Sequence, residues 1–456
     1  MKFVALNGSP KGSKSTTFYC YQYIKKYFPN YNYREYHIAR KIKKIEKNQE
    51  LFNEIIREIA SADGIIWLFP VYLLHVPAQL IRFIELLFKE KEKIRLAEKY
   101  ATSFSTSFNF YDHIAHQYIQ AISEDLGMNY IKGYSATMND LFSKEERKRF
   151  RLFAKLFFTN CEEQFLPEKV TIPIKKNNFQ YSPEKIESVP KRFNYRIILV
   201  TDTKESDHSL EQMIQVFSQI IPNELEIINI NNLSIKGGCL GCLKCTADNI
   251  CFYTDDIMAT YQEKIIPADS VIYAFSIKNR SFSSRMKMFI DRSFFNGHRP
   301  VFKGQQNAYL ISGPISQTTT LRESLEGSQD VGKVHLVGIV SDGSQDSNLI
   351  TKKLRSLAHN IIWGLGHNKF TRHQTFRGKG GHKIFQDLIQ SYQTILRQDY
   401  LYYKKNNLFD KPKNFFGPSS LILNPLMRID RFRKWFLAKA GDHIENRFKE
   451  ILEKTE

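Results

Sequence analysis

The chain has 456 residues with 66 Lys and Arg against 47 Asp and Glu, a formal charge of +19 at neutral pH. That length exceeds the ~100–200 residues of a single domain, and a hydrophobic content of 42% with 13% aromatics fits packed cores and excludes a disordered chain. The apolar opening at residues 1–6 stops at Asn7-Gly8-Ser9-Pro10, too short for a signal peptide, so a cytoplasmic location is expected.

In chain order, short β-branched and aromatic runs alternate with stretches of helical period, the pattern of a parallel sheet covered by helices. The first round predicts strands at 3–6, 31–38, 64–69, 100–106 and 130–136 and a helix from about Lys144. Residues 64–88 are apolar, but Pro70, His75, Pro77, Gln79, Arg82 and Glu85 interrupt them; a buried strand, a loop and an amphipathic helix are expected there, not a membrane span. A Pro- and Lys-rich stretch, 166–193, reads as a linker.

The second round predicts strands at 196–200, 225–230, 270–276, 307–313 and 334–341. Phe69-Pro70-Val71-Tyr72 with Arg82-Phe83-Ile84-Glu85 aligns with Phe275-Ser276-Ile277-Lys278 and Met288-Phe289-Ile290-Asp291, and the opening strands align at a smaller offset. The difference is read as a cysteine loop inserted in the second copy alone. Beyond Gly366 the sequence turns polar, basic and aromatic, with a Tyr-rich helix near 392–403 and a basic amphipathic helix at 427–440. Much of the excess charge lies here. Nucleic acid is not an expected partner; the last helix is read as packing on the domains, with a membrane surface as the alternative.

These elements predict an α/β protein of two tandem flavodoxin-like, doubly wound, five-stranded parallel sheets. The expected boundaries are 1–165 and 194–365 for the two domains, 166–193 for the linker and 366–456 for the basic helical appendage.

Between the first strand and its helix lies Asn7-Gly8-Ser9-Pro10-Lys11-Gly12-Ser13-Lys14-Ser15-Thr16-Thr17. Glycines permit tight curvature, backbone N–H groups at a helix start attract an anion, and Ser9, Ser13, Ser15, Thr16 and Lys11 add donors. The spacing matches neither a Walker loop nor a dinucleotide fingerprint. Further on, Cys239, Cys242, Cys245 and Cys251 form C-x2-C-x2-C-x5-C. A run this compact suits a cubane iron–sulfur cluster better than the paired knuckles of structural zinc; zinc and metal-free thiols stay open. Cys20 and Cys161 read as buried thiols. Asp112 reads as a helix N-cap, with His113 and His116 sharing a helical face as a weaker metal or proton-transfer candidate.

The phosphate loop, Pro70-Val71-Tyr72 after the third strand and the cysteine run together resemble the NADPH-dependent FMN reductase and iron–sulfur flavoprotein family. The resemblance implies that Ser9, Lys11, Ser13, Ser15 and Thr16 hold the FMN phosphate, and that Pro70, Val71 and Tyr72, with Thr106 and Ser107, border the isoalloxazine ring. It further implies a [4Fe–4S] cluster on the four cysteines and NAD(P)H as electron donor. The second copy's loop, Thr201-Asp202-Thr203-Lys204-Glu205-Ser206-Asp207-His208-Ser209, carries three carboxylates that repel a phosphate, so a degenerate second flavin site is expected. The resulting expectation is an NAD(P)H oxidoreductase passing electrons between FMN in one domain and a cluster in the other, as an internal pseudo-dimer or a homodimer. The alternatives are a cluster-free FMN or quinone reductase and a flavin-binding electron carrier docked through its basic C-terminus.

Overall fold

The computed structural model describes residues 1–90, 96–175, 178–410, 425–426, 429–432, 435 and 439. The first half runs β1 (Lys2–Asn7), α1 (Thr16–Tyr27), β2 (Asn32–Tyr36), α2 (Ile38–Lys47), α3 (Gln49–Ala60), β3 (Gly64–Pro70), α4 (Ala78–Lys89), β4 (Tyr100–Ser107), α5 (Asp112–Asp125), β5 (Asn129–Tyr130), β6 (Tyr134–Thr137) and α6 (Lys144–Glu162). All its pairings are parallel, in the order β2-β1-β3-β4-β5, with β6 also on β4.

The second half repeats this plan with β7 (Phe193–Thr201), α7 (His208–Ile220), β8 (Asn223–Asn229), α8 (Cys245–Asp248), α9 (Asp256–Thr260), β9 (Ser270–Ser276), α10 (Ser284–Arg292), β10 (Gln306–Ser312), α11 (Thr319–Val331), β11 (His335–Ser341) and α12 (Ser347–Gly366). Its parallel order, read from the other edge, is β8-β7-β9-β10-β11, the same winding. Each sheet is buried on both faces, between two apolar clusters. This is why its strands read as continuous apolar runs rather than alternating ones.

One predicted strand is broken. Residues 130–136 divide into β5 and β6, and the gap contains Gly133, where a Cβ would lie 2.3 Å from Ser103 Oγ and 2.7 Å from His116 Nδ1. His116 fills that corner, its Nδ1 at 2.6 Å from Ser103 Oγ and its Nε2 at 2.8 Å from Ser105 Oγ. The pairing of His113 with His116 as a site is therefore corrected: His116 is consumed inside, while His113 is exposed and stacks on Tyr111. Asp112 is also the first helical residue rather than the cap, which is Tyr111.

The halves face each other across α4 and α10. Glu85 of α4 accepts from the backbone N–H (2.6 Å) and the hydroxyl (2.8 Å) of Ser284, at the start of α10. Reciprocally, Asp291 of α10 accepts from the N–H of Ala78, at the start of α4, at 2.9 Å. Each carboxylate thus satisfies an orphan donor and the positive end of the other half's helix. Equivalent positions here are 206 residues apart, and at that separation His75 Nε2 meets Ser281 Oγ at 3.3 Å. A residue touching its own equivalent marks a two-fold axis within one chain.

The same symmetry governs the turns beside the axis. Leu73-Leu74 and Asn279-Arg280 all have positive φ, closing the bridges Tyr72↔His75 and Lys278↔Ser281. Arg280, nearly buried, binds Asp125 of α5 through two nitrogens across the contact.

Residues Met1–Tyr402 and Tyr403–Glu456 form two compact units. Helix α13 (Phe376–Ser391), expected within an appendage, packs in the first unit, where Phe385 meets Phe110 at 4.5 Å between ring centroids. The Tyr-rich helix is α14 (Arg397–Lys405), and the basic helix expected at 427–440 lies largely outside the described residues. Among the described residues no helix is long and apolar enough to cross a membrane; residues 64–88 form β3, the turn at the axis, and most of α4.

Candidate functional site

The loop after β1 is shaped by one residue that sequence reasoning passed over. Asn7 is buried; its Oδ1 accepts from Ser9 N–H and its Nδ2 donates to Gly12 C=O, both at 3.0 Å. That stitch curls the loop toward the start of α1. Ser15 caps α1 by accepting from Phe18 N–H at 3.2 Å, while the first-turn N–H groups of Thr16 and Thr17 have no intrahelical acceptor. The side chain of Thr17 bonds Thr106 Oγ1 at 2.6 Å, fixing this helix start against the C-terminal end of β4.

These groups open into a cavity of about 620 Å³. Of the residues expected around FMN, Ser9, Lys11, Ser15, Thr16, Pro70, Val71, Tyr72, Thr106 and Ser107 line it. Ser13 does not; it is exposed on the outside of the loop. The wall also includes Thr17 at the start of α1, Phe108 and Phe110 just beyond β4, and Met138 and Asn139, whose local sequence carries no motif. None of residues 202–209, the second half's equivalent loop, reaches this cavity. That loop is tied to its neighbours instead: Asp202 is buried, accepts from Ser283 Oγ, and its backbone carbonyl accepts from Asn231 Nδ2 at 2.9 Å.

The opposite wall belongs to the second half. Cys239, Cys242, Cys245 and Cys251 all line the same cavity. Their loop is braced from both sides. Arg292, buried on α10, donates to Gly237 C=O and grips both carboxylate oxygens of Asp255, at 2.8 to 2.9 Å, while its guanidinium lies 4.6 Å over the Tyr253 ring. From the first half, Gln79 Nε2 donates to Cys239 C=O at 3.1 Å, and Lys43 to Lys236 C=O.

The cysteine loop meets the first half tightly at Tyr72. Gly241 has φ +60°, and a Cβ there would lie 2.0 Å from the Tyr72 hydroxyl. Only glycine combines that dihedral with that proximity. Tyr72, expected to border a flavin ring, is buried beneath the cysteine loop and meets Phe294 edge-on at 5.8 Å. Burial first, then the neighbouring Cys239 and Asp291, push its hydroxyl well above the ordinary tyrosine range.

Behind it sits a buried ion pair: Lys287 donates to Tyr72 C=O at 2.8 Å and pairs with Asp291. Burial pushes the lysine down and the carboxyl up. The thiols respond similarly, Cys239 rising to about 12 and Cys245 to about 11, chiefly through burial. Cys20 and Cys161 are buried away from the cavity.

The residues present fit an anionic flavin cofactor in one respect and a thiolate-bound group in another. The loop after β1 offers a helix start, hydroxyls and Lys11; the loop after β8 offers four soft sulfur donors on one cavity wall. Among the described residues, no three His, Cys, Asp or Glu side chains are gathered closely enough to hold a metal as they stand. Binding would need the thiols both to lose their protons and to converge.

The C-terminal segment completes the enclosure. Phe385, Leu388, Tyr392 and Asp399 line the cavity. Asn139 donates to the Tyr392 hydroxyl at 2.7 Å, and Asp399 accepts from His298 Nδ1 at 2.9 Å. No motif marks these residues.

The model of the family described as NADPH-dependent FMN reductase matches this chain twice, over residues 1–141 and 196–336. A curated relative, the iron–sulfur flavoprotein of Archaeoglobus fulgidus, is 26% identical over 189 residues, covering 40% of this chain and 84% of that protein. Similar solved structures include an NADH:FMN oxidoreductase, EMOB, in its apo form (TM-score 0.31, 17% identity, 35% of this chain and 89% of that one). Another is the NAD(P)H:quinone oxidoreductase of Methanothermobacter marburgensis (TM-score 0.32, 12% identity, 40% and 100%). With more than half of its residues matched in two tandem copies, the chain belongs to the NADPH-dependent FMN reductase family of flavin-dependent NAD(P)H oxidoreductases.

Proposed function

We propose that this enzyme binds one FMN at the first half, on Ser9, Lys11, Ser15, Thr16 and the loops carrying Pro70-Val71-Tyr72 and Thr106-Ser107, and a [4Fe–4S] cluster on Cys239, Cys242, Cys245 and Cys251. The observation that carries this reading is the single cavity lined by both sets of residues. When bound, FMN would supply the conversion between hydride transfer from NAD(P)H and single-electron transfer, and the cluster a one-electron store.

The chain's own residues set the conditions. The start of α1 and Lys11 neutralise a phosphate. Arg292 and Asp255 hold the cysteine loop on the second half, and Gln79 ties it to the first. Phe385 and Tyr392 narrow access for water, which strengthens electrostatic interactions inside the cavity.

Anaerobic purification tests this: about one flavin and about four irons per chain are expected, with the iron lost in Cys242→Ser. A protein without flavin or iron after reconstitution overturns the reading. The cluster-free reductase is the second reading, favoured by the four thiols standing apart and, for Cys239 and Cys245, holding their protons more tightly than usual; flavin without iron, with NAD(P)H oxidation intact, selects it. Flavin binding without NAD(P)H oxidation selects the electron carrier.

A further inference from the structure

The outward face of α1 and α6 presents large apolar side chains among cations. Tyr19 and Tyr27 on α1 and Leu152 and Leu156 on α6 are each more than half exposed, and Phe142, just ahead of α6, is 82% exposed. The two helices pack on each other, and their outer faces are joined by Arg151. Its Nη1 donates to the Tyr23 hydroxyl at 2.8 Å and its guanidinium covers the Tyr27 ring at 4.4 Å. The apolar surface is thus continuous across both helices.

The middle of this face carries only cations, with exposed Glu145 and Glu163 at its two ends. Arg147, Lys148, Arg149, Arg151 and Lys155 follow one another with no acidic residue between Glu146 and Glu162. Glu146 is occupied by Arg149 and Tyr134. Lys26, Lys148 and Lys155 are exposed and make no ion pair among the described residues. Neighbouring helix positions place Lys148, Leu152, Lys155 and Leu156 along one stripe.

We infer that this face is a docking surface for an anionic lipid bilayer. Protruding Leu, Phe and Tyr side chains enter the headgroup boundary while the lysines and arginines remain at the charged surface. A second copy of the chain brought against it would set cations on cations. The position suits an enzyme with a membrane-borne reaction partner, because Phe142 lies three residues beyond Asn139, part of the cavity wall. Docking here lays one rim of the cavity beside the lipid.

The test is co-sedimentation of the full chain with phosphatidylglycerol–phosphatidylcholine vesicles and with pure phosphatidylcholine vesicles. Binding to the anionic vesicles, reduced at high salt and weak on the neutral ones, is expected. Lys148→Glu with Lys155→Glu should lower partitioning on the order of thirtyfold or more. Leu152→Gln with Leu156→Gln should lower it on the order of tenfold. All four residues are exposed, so unchanged urea-unfolding midpoints serve as the folding control. Binding that survives both double variants assigns the attachment to another part of the chain and overturns the inference. So does a wild-type chain that ignores anionic vesicles, whether it binds an acidic protein or associates with itself in sedimentation velocity.

Discussion

Gly241→Ala probes the contact on which the joint cavity depends. The substitution forces alanine into a left-handed dihedral, at a cost of about 1–2 kcal/mol. It also sets a methyl group 2.0 Å from the hydroxyl of buried Tyr72, with the ring Cζ at 3.0 Å. Tyr72 is buried and packs on Phe294, so displacing it adds about 1–3 kcal/mol of overpacking. Tyr72→Phe removes the offending oxygen and leaves the Cζ contact, which a shift of a few tenths of an ångström relieves. In the Gly241→Ala background that change should therefore recover the overpacking but not the dihedral cost. The four proteins form a double-mutant cycle, read by urea unfolding of the reduced apoprotein, and a coupling of about 1–3 kcal/mol is expected. Additivity within about 0.5 kcal/mol would mean that the cysteine loop does not rest on Tyr72 in solution. The shared cavity would then lose its central contact.

Asp291→Ala leaves Lys287 charged and buried without its partner and also strips the cap from Ala78, so a loss of about 3–5 kcal/mol is expected in urea unfolding, while Lys287→Met with Asp291→Leu should recover most of it. Arg292→Met removes the grip on Asp255 and Gly237; hydrogen exchange should accelerate across 237–255 and stay unchanged in β1 and β3. Burial lowers His116 from 6.5 to about 4, so the unfolded chain binds the additional proton between those values. Stability should hold above pH 6.5 and fall by up to about 3 kcal/mol as pH drops toward 4, a slope that His116→Gln should flatten; a wild-type chain equally stable at pH 7 and 4.5 would refute it.

The parallel sheets were legible because buried strands leave a plain mark. The predicted strand at 270–276 coincides with β9, and the two alignment offsets match the registers Phe3↔Gly64 and Ile197↔Ser270. What failed locally was determined at a distance. The break between β5 and β6 depends on His116 of α5, and within 130–136 only Gly133 hints at it. Glu85 and Asp291 align in the sequence as equivalent acids, yet their role as caps is invisible there because each caps the other copy's helix. The cavity residues Tyr392 and Asp399 escaped for the same reason: a segment outside both repeats carries no repeat signal.

The cysteine loop was read as an insertion that the first half lacks; the connection carrying it, residues 230–269, is longer than its counterpart, 37–63, and it also differs in kind. The same connection, from the second strand of each sheet to the third, is α2 and α3 in the first half and the loop with α8 and α9 in the second. A helix closes its own backbone hydrogen bonds and needs no outside partner for its shape. The loop at 236–244 lacks that internal bonding, so its carbonyls at Lys236, Gly237 and Cys239 are taken by Lys43, Arg292 and Gln79. Two of those three donors come from the other half. The two-fold axis explains why they are within reach: it lays this connection over the first half's turn at Tyr72, so exchanging helices for an irregular strand of thiols puts sulfur beside that half's cavity without altering either sheet. The loop is therefore held by the contact between the halves, and the sulfurs of Cys239 and Cys242 should be the first of the four to lose their arrangement when that contact is weakened.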